Sequence, residues 1–495
     1  MNTVSDSTYS ATQEKTLGFI EHIFSASSKL EKQTNIILIS LIPTFAFSQL
    51  ITYILLGEYL RTKYNLNIKY LIDDNILSHC DLVNMQDTID KELVCERCAS
   101  ATLKLRPLSD HFIYISDVHK ISHNISQMPN FIKPSQLSKY RYCGDINFQQ
   151  YEDSSIKNLE IMHTTAETLL KMYDIKTFIS LRHHNVYSLS SMYSYFKNNK
   201  IHCISIDQGA FKKNALSFFS KSGDKDIVHD IYKSLKFDTL KKHAILKYLK
   251  QRTTLNSYTK SELLFRKKIK KYSKVIAIFP NVDEDAALDE FHSLFESHLQ
   301  WIKEVVSFLV DTDYCIIIKA HPDEIRWKVQ KSILSYIKSL YPSNNIIYLE
   351  AETDISTYSF TDIIDLALVY TGTLYLELAS KNIPTLAAGN SYIIQNTFCK
   401  NLTKESYYSL LMNPNTLFDI IDKDMHNILK FAYIDFFCKD LKLSFSEKKY
   451  PYIKIDSALD LITTQKEEIA FEFIYDLIQN KHIDIEKYTL EMEKF

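Results

Sequence analysis

Glycine is nearly absent from this chain: 7 residues in 495, where a share of about 7% is usual. So low a content excludes glycine-rich, low-complexity segments, and no internal repeat stands out. Where so poor a background keeps a glycine, backbone geometry or close approach is the reason to look for. Gly209, Gly372 and Gly389 each follow an apolar, strand-like run. An excess of charge of one sign is also missing. With 58 Lys and Arg against 60 Asp and Glu, the net charge of −2 gives no global steering toward nucleic acid. No basic, apolar-cored leader opens the sequence, since MNTVSDSTYSATQEK is polar, and this argues against an exported precursor. The cysteines at 80, 95, 98, 143, 203, 315, 399 and 438 are scattered rather than clustered into a disulfide framework, which favours a reducing, cytoplasmic setting. Long apolar runs are missing too. Asn35 to Leu56 carries no charge, but Ser40, Pro43, Thr44, Ser48, Gln49 and Thr52 interrupt it. It divides into a strand, NIILISLI, and a helix, FSQLITYILLGEYLRTKY, in preference to one membrane span.

What is present is a long chain with 45% hydrophobic and 24% charged residues, enough for a substantial core and for more than one domain. Strand-like and helix-like patterns alternate. The strand IILISLI, a helix over 47–64 and the strand IKYLID open a βαβ pattern. It resumes with a helix over 153–173, TFISLRH, a helix over 187–198 and HCISIDQG. A second series starts at Lys274: VIAIFPN, a helix over 290–311, YCIIIKAHP, a helix over 326–341, NIIYLEAE, DLALVYTG, a helix over 374–380, and PTLAAG. Two such series in tandem predict an α/β protein with two Rossmann-like domains. The expected division is an extension over 1–33, a first domain over 34–235, a basic interdomain linker or helix over 236–273, a second domain over 274–400 and a helical region over 401–495.

Two segments carry the chemistry. In KAHPDE a strand ends in polar groups, offering Lys319, His321 and Glu324, and in YTGTLYLELASKNIPTLAAG a strand passes through Thr371, Gly372 and Thr373 into a helix. Open α/β sheets collect ligands at such strand ends. A phosphate there would meet helix N-terminal N–H groups, the positive end of the helix dipole and two hydroxyls. Glu377, one turn into the helix, offers a carboxylate to a pair of ribose hydroxyls. As simple helix caps and first-turn acids, the same residues would need no ligand.

Other features are less specific. Residues 241–274 hold twelve Lys or Arg and one acid, Glu262, with Leu263, Leu264, Phe265 and Ile269 interleaved. This suits either a solvated interdomain linker or a basic amphipathic helix lying on an anionic membrane surface or attracting an acidic polymer. Cys95 and Cys98, with Cys80, His79 and Cys143 as further donors, have zinc-like spacing, although unliganded cysteines are the simpler reading. Asp283-Glu284-Asp285 resembles the metal-gripping Asp-x-Asp of another transferase class, but its place beside a Rossmann-like phosphate pocket argues against a metal.

From Val275 onward, FPNVDEDAA, FHSLFESHLQWIKEVVSFL, IIIKAHPDE and YTGTLYLELASKNIPTLAAG in this order resemble the bacterial capsular-polysaccharide glycosyltransferases, including those that transfer 3-deoxy-manno-octulosonic acid (Kdo) and related keto-sugars. The resemblance is good over 274–392 and weaker elsewhere. It implies a GT-B fold, two facing Rossmann-like domains with a helical C-terminal tail, and reaction in the cleft between them. His321 would contact the donor nucleotide, Thr371 and Thr373 its phosphate, and Glu377 the ribose. Asn281 and Asp285 would face the cleft, although the Val-Asp-Glu-Asp stretch after Asn281 leaves open which acid serves. Glycosyl transfer needs a base for the incoming hydroxyl and charge stabilisation on the departing phosphate. Lys319, His321 and the helix N-terminus suit the second requirement. Asp207, in IDQGA with Gly209 beside it to admit substrate, is the first candidate for the base, and His183-His184 the reserve. The expected activity is inverting and metal-independent, without a resident cofactor. It uses a nucleotide-sugar donor, CMP-linked ahead of UDP-linked, and a glycan or glycolipid acceptor, at a cytoplasmic or inner-membrane peripheral location and with no nucleic-acid partner. The alternatives are a UDP-sugar 2-epimerase, a CDP-glycerol-type polyol-phosphate transferase and a non-catalytic scaffold subunit.

Overall fold

The computed structural model describes residues 18–20, 22–24, 34–42, 47–74, 76–77, 105–106, 110–119, 148–181, 187–208, 215–217, 225–282, 294–295, 298–326, 332–389, 394, 397–445, 455–479 and 483–489. These fall into two compact units. One is drawn from residues up to Asp230 and again from Cys438 onward, the other from Ile231–Phe437. In chain order the first unit supplies β1 (Ile36–Ser40), β2 (Asn67–Ile72), β3 (Phe112–Tyr114), β4 (Ile175–Leu181), β5 (His202–Gln208) and β6 (Ala215–Ser217). The second supplies β7 (Val275–Phe279), β8 (Cys315–Lys319), β9 (Ile346–Leu349), β10 (Leu366–Val369) and β11 (Thr385–Ala387), and β12 (Asp440–Lys442) returns to the first.

The first sheet has the order β12-β6-β5-β4-β1-β2-β3. β1 to β5 are parallel, and β6 and β12 are added antiparallel at one edge. The uncharged stretch near the N-terminus is β1 followed by the helix Phe47–Tyr64. From Leu50 to Leu60 every residue of that helix is buried, as expected of a helix apolar on all sides inside a core. No helix among the described residues is long and apolar enough to cross a membrane. At the end of this helix Arg61 forks onto Glu58 (2.5 and 2.6 Å), the Ile68 carbonyl (2.7 Å) and Nδ1 of His111 (2.9 Å), while the Tyr70 hydroxyl donates to Glu58 (2.8 Å). Burial and the neighbouring Arg61 charge pull His111 down to about 4.

The second sheet, β11-β10-β7-β8-β9, is wholly parallel. Its inner strands, VIAIF, CIIIK and LALV, are buried throughout, the sequence signature of strands covered on both faces. The expected α/β class with two Rossmann-like sheets is therefore what the chain adopts.

Several elements differ from expectation. The helix read over 290–311 is described from His298 to Leu309. Leu294 precedes it as a bend whose N–H donates to the Ala388 carbonyl (3.3 Å) instead of to a helical partner. The helix read over 326–341 is a short turn at Asp323–Arg326 and a separate helix, Ile333–Leu340, capped by the Ser332 hydroxyl. Residues 236–273 hold two helices of the second unit, Thr239–Thr253 and Lys260–Ile269. They bury the stripes Ile245, Leu249, Thr253 and Glu262, Phe265, Ile269. The C-terminal region, read as helical, also contributes β12, which pairs with β6 from Asp440↔Ser217 to Lys442↔Ala215.

Candidate functional site

In the second sheet the chain runs outward from β7 through β8 to β9, then returns to the other side of β7 for β10 and β11. The strand order reverses between β7 and β10, and the crevice beyond the carboxyl ends at such a reversal is where open α/β sheets bind ligands. Register puts the ends level. Phe279 pairs with Val369, Val369 with Ala387, and Ile278 with Ile318, so that Lys319 lies beside Phe279. With strands roughly 4.8 Å apart, the segments that follow β8, β7 and β10 emerge within a span of about 10 Å.

The segments after β7 and β10 are tied together. The Asn281 side-chain amide donates to Oγ1 of Thr371 (3.0 Å) and its oxygen accepts from the Thr371 N–H (3.4 Å), all buried. Gly372 follows at φ +101°, ψ 176°, a conformation essentially restricted to glycine. It is the N-cap of the helix Thr373–Ala379, one residue earlier than expected, and no side chain caps that helix. The Thr371 hydroxyl is thus committed to Asn281 and does not act as a helix cap. Gly389 closes the turn from the far side. Its N–H donates to the Tyr370 carbonyl (2.7 Å), and a Cβ there would stand 2.9 Å from that oxygen and inside the Thr371 methyl. The Tyr370 ring is held by His298 and Trp301, at centroid distances of 4.7 and 5.4 Å.

Glu377 is 2% exposed. One oxygen accepts from Nε of Arg252 (2.8 Å) and the other from the Tyr358 hydroxyl. Burial and this carboxylate push the Tyr358 phenol well up, so it stays a donor. A ribose at Glu377 would therefore meet a carboxylate already engaged on both oxygens. Arg252 and Tyr358 were not singled out from the sequence. They lie 125 and 19 residues from Glu377, and only tertiary packing brings them to it.

Lys319 ends β8 at 6% exposure, and burial pulls its ammonium below the ordinary lysine value. Nδ1 of His321 accepts from the Asp323 N–H (3.1 Å), which puts the proton of a neutral ring on Nε2. The His321 carbonyl accepts from the N–H of Glu324 (3.1 Å), whose side chain is buried. Of the expected site residues, Lys319, His321, Glu324, Asn281, Thr371, Gly372, Thr373 and Glu377 thus belong to one edge of one sheet. Asp207 is placed as backbone only, in β5 opposite Ser217. Its side chain lies outside the described residues, together with His183, His184, Gly209, Asp283, Glu284, Asp285 and the cysteines at 80, 95, 98 and 143. Among the described residues no group of three metal-ligating side chains gathers.

No family model and no curated protein matches the chain. Solved structures do. A Thermosulfurimonas dismutans KpsC, a beta Kdo 2,7 transferase, aligns at 12% identity and a TM-score of 0.34 over 64% of this chain and 97% of its own. UDP-GlcNAc 2-epimerase from Neisseria meningitidis, bound to UDP-GlcNAc, aligns at 11% and 0.25 over 81% and 98%. The wall teichoic acid polymerase TagF aligns at 12% and 0.22 over 94% and 99%.

Proposed function

We propose that the chain is a glycosyltransferase of GT-B type whose second unit binds the nucleotide-sugar donor at the β7/β10 reversal. The observation that carries this reading is the Asn281–Thr371 latch with Gly372. Together they hold a turn whose following N–H groups, at Thr373 and Leu374, open a helix without a side-chain cap. The donor phosphate sits on those N–H groups and the Thr373 hydroxyl. Lys319 and the Nε2 proton of His321 lie at the neighbouring strand end. They stabilise the negative charge that grows on the phosphate as the glycosidic bond breaks. Arg252 and Tyr358 hold Glu377 as an oriented acceptor, and its unused lone pairs are those that a ribose hydroxyl would reach.

For the base that takes the acceptor's proton the sequence offers Asp207 ahead of His184, with Asp285 as a further candidate acid. The resemblance noted in the sequence points to a CMP-linked keto-sugar ahead of a UDP-sugar, to inversion at the anomeric carbon and to a surface glycan or glycolipid acceptor. The protein as purified, challenged with CMP, CDP, UDP and GDP in a thermal-shift series, is expected to respond most to CMP. Thr371→Val and His321→Ala should each abolish the response. Stabilisation by UDP alone would overturn the CMP assignment. Turnover of a nucleotide sugar without any acceptor would replace transfer by isomerisation. Activity that disappears in chelator would remove the metal-independent mechanism.

A further inference from the structure

The two helices that occupy the expected linker each have a buried stripe and an outer face of unusual composition. On the Lys260–Ile269 helix, Glu262, Phe265 and Ile269 face inward, while Leu263 and Leu264 stand 53% and 60% exposed. Lys267 and Lys268 lie one turn on from those leucines, with Lys260 at one end and Lys271 at the other, all exposed. The Thr239–Thr253 helix repeats the pattern. Leu246 is exposed between Lys242 and Lys250, one turn to either side, and Leu240 is 75% exposed.

Four acids on or beside these helices are engaged internally. Glu262 accepts from the N–H groups of Thr259 and Ser356, Asp238 caps and pairs with Lys241, Asp362 pairs with Arg266 at 2.5 Å, and Glu377 with Arg252. The lysines of the outer faces therefore keep their positive field, although the chain as a whole is close to neutral. A nucleic acid or other soluble polyanion would satisfy those lysines but offer nothing to exposed leucines set among them. A bilayer with anionic headgroups satisfies both, leucines entering the headgroup–acyl boundary while lysine ammonium groups stay at phosphate level.

We infer that the outer faces of these two helices dock the second unit on an anionic membrane surface. This goes beyond the donor reading and stands without it. The full-length chain should float with phosphatidylcholine vesicles containing phosphatidylglycerol and stay behind with phosphatidylcholine alone. Charge removal in Lys267→Gln/Lys268→Gln should weaken binding roughly fivefold per lysine. Leu263→Ser/Leu264→Ser, with every charge intact, should cost at least as much. Circular dichroism melts matching those of the parent would show that the variants are folded. The inference is overturned by absence of flotation, by equal flotation with neutral vesicles, or by leucine variants that bind as the parent does. Those last variants, if displaced by DNA or heparin, would identify a polyanion surface instead.

Discussion

Each sheet holds a buried hydrogen-bonded cluster that ties separate segments together, and these two clusters lie at opposite strand ends, although the first sheet also has Asp74 and Ser116 hydrogen-bonded beyond the carboxyl ends of β2 and β3. In the second, Asn281, Thr371 and Lys319 lie at the carboxyl ends of β7, β10 and β8, around the point where strand order reverses. In the first, the Glu58–Arg61–Tyr70–His111 cluster lies where β2 and β3 begin, since Arg61 reaches the carbonyl of Ile68 and His111 directly precedes β3. Ligands gather at carboxyl ends. A polar cluster at the other end answers a structural need: a helix terminus and two strand starts share one buried cation. The comparison separates groups that hold the protein together from groups arranged to meet something else.

The largest test of that separation is Arg61→Ala. It leaves Glu58 buried without its cation and should cost about 3–5 kcal/mol. Hydrogen exchange resolved to peptides should show the loss in β2 and in the Phe47–Tyr64 helix, with exchange around β7 and β10 unchanged. Equal loosening of both sheets would break the comparison. Gly372→Ala comes next. Its Cβ would meet only Nδ2 of Asn281 at 3.9 Å, an ordinary contact, so the cost is torsional, about 1–3 kcal/mol at the observed φ and ψ. Exchange should rise in residues 370–376, with the first sheet unaffected and the nucleotide-induced thermal shift lost. A retained shift would mean that the turn's geometry is not what binds.

A third effect, confined to acid pH and absent at neutrality, comes from His111. His111 is depressed in the folded chain to about 4, so between the ordinary histidine value and that figure the unfolded chain takes up a proton the native chain refuses. Its contribution to stability is complete above about 6.5 and is lost as pH falls toward 4. Urea midpoints should decline over that window, and more steeply than in His111→Gln. Parallel curves would remove His111 from the cluster's energetics.

Much of this was legible in the sequence, for identifiable reasons. VIAIF, CIIIK and LALV announce themselves because parallel strands covered on both faces must be apolar throughout. The turn after β10 was visible through Gly372, whose backbone conformation few other residues adopt. β12 was not, because three residues, Asp440, Leu441 and Lys442, become a strand only by pairing with Ala215–Ser217, more than 200 residues earlier. The basic segment left linker and amphipathic helix open because its buried stripes are only three residues each and lie among lysines. Asn281 and Thr371 were both picked out, yet their hydrogen bond to each other spans 90 residues of chain and follows from sheet order alone. Arg252 was read as one of twelve cations, and its ion pair with Glu377 needed the fold.

The contact between Gly389 and Thr371 has a consequence for how this sequence can drift. No side chain fits at 389 while Thr371 keeps its methyl and Tyr370 its carbonyl in place. The two positions therefore form a steric pair: a larger residue at 389 requires at least that the Thr371 methyl be removed, which serine does while keeping the hydroxyl that binds Asn281, and the Tyr370 carbonyl must give way as well. Homologues that keep the Tyr370 carbonyl in place should therefore be held to glycine at 389, whatever stands at 371.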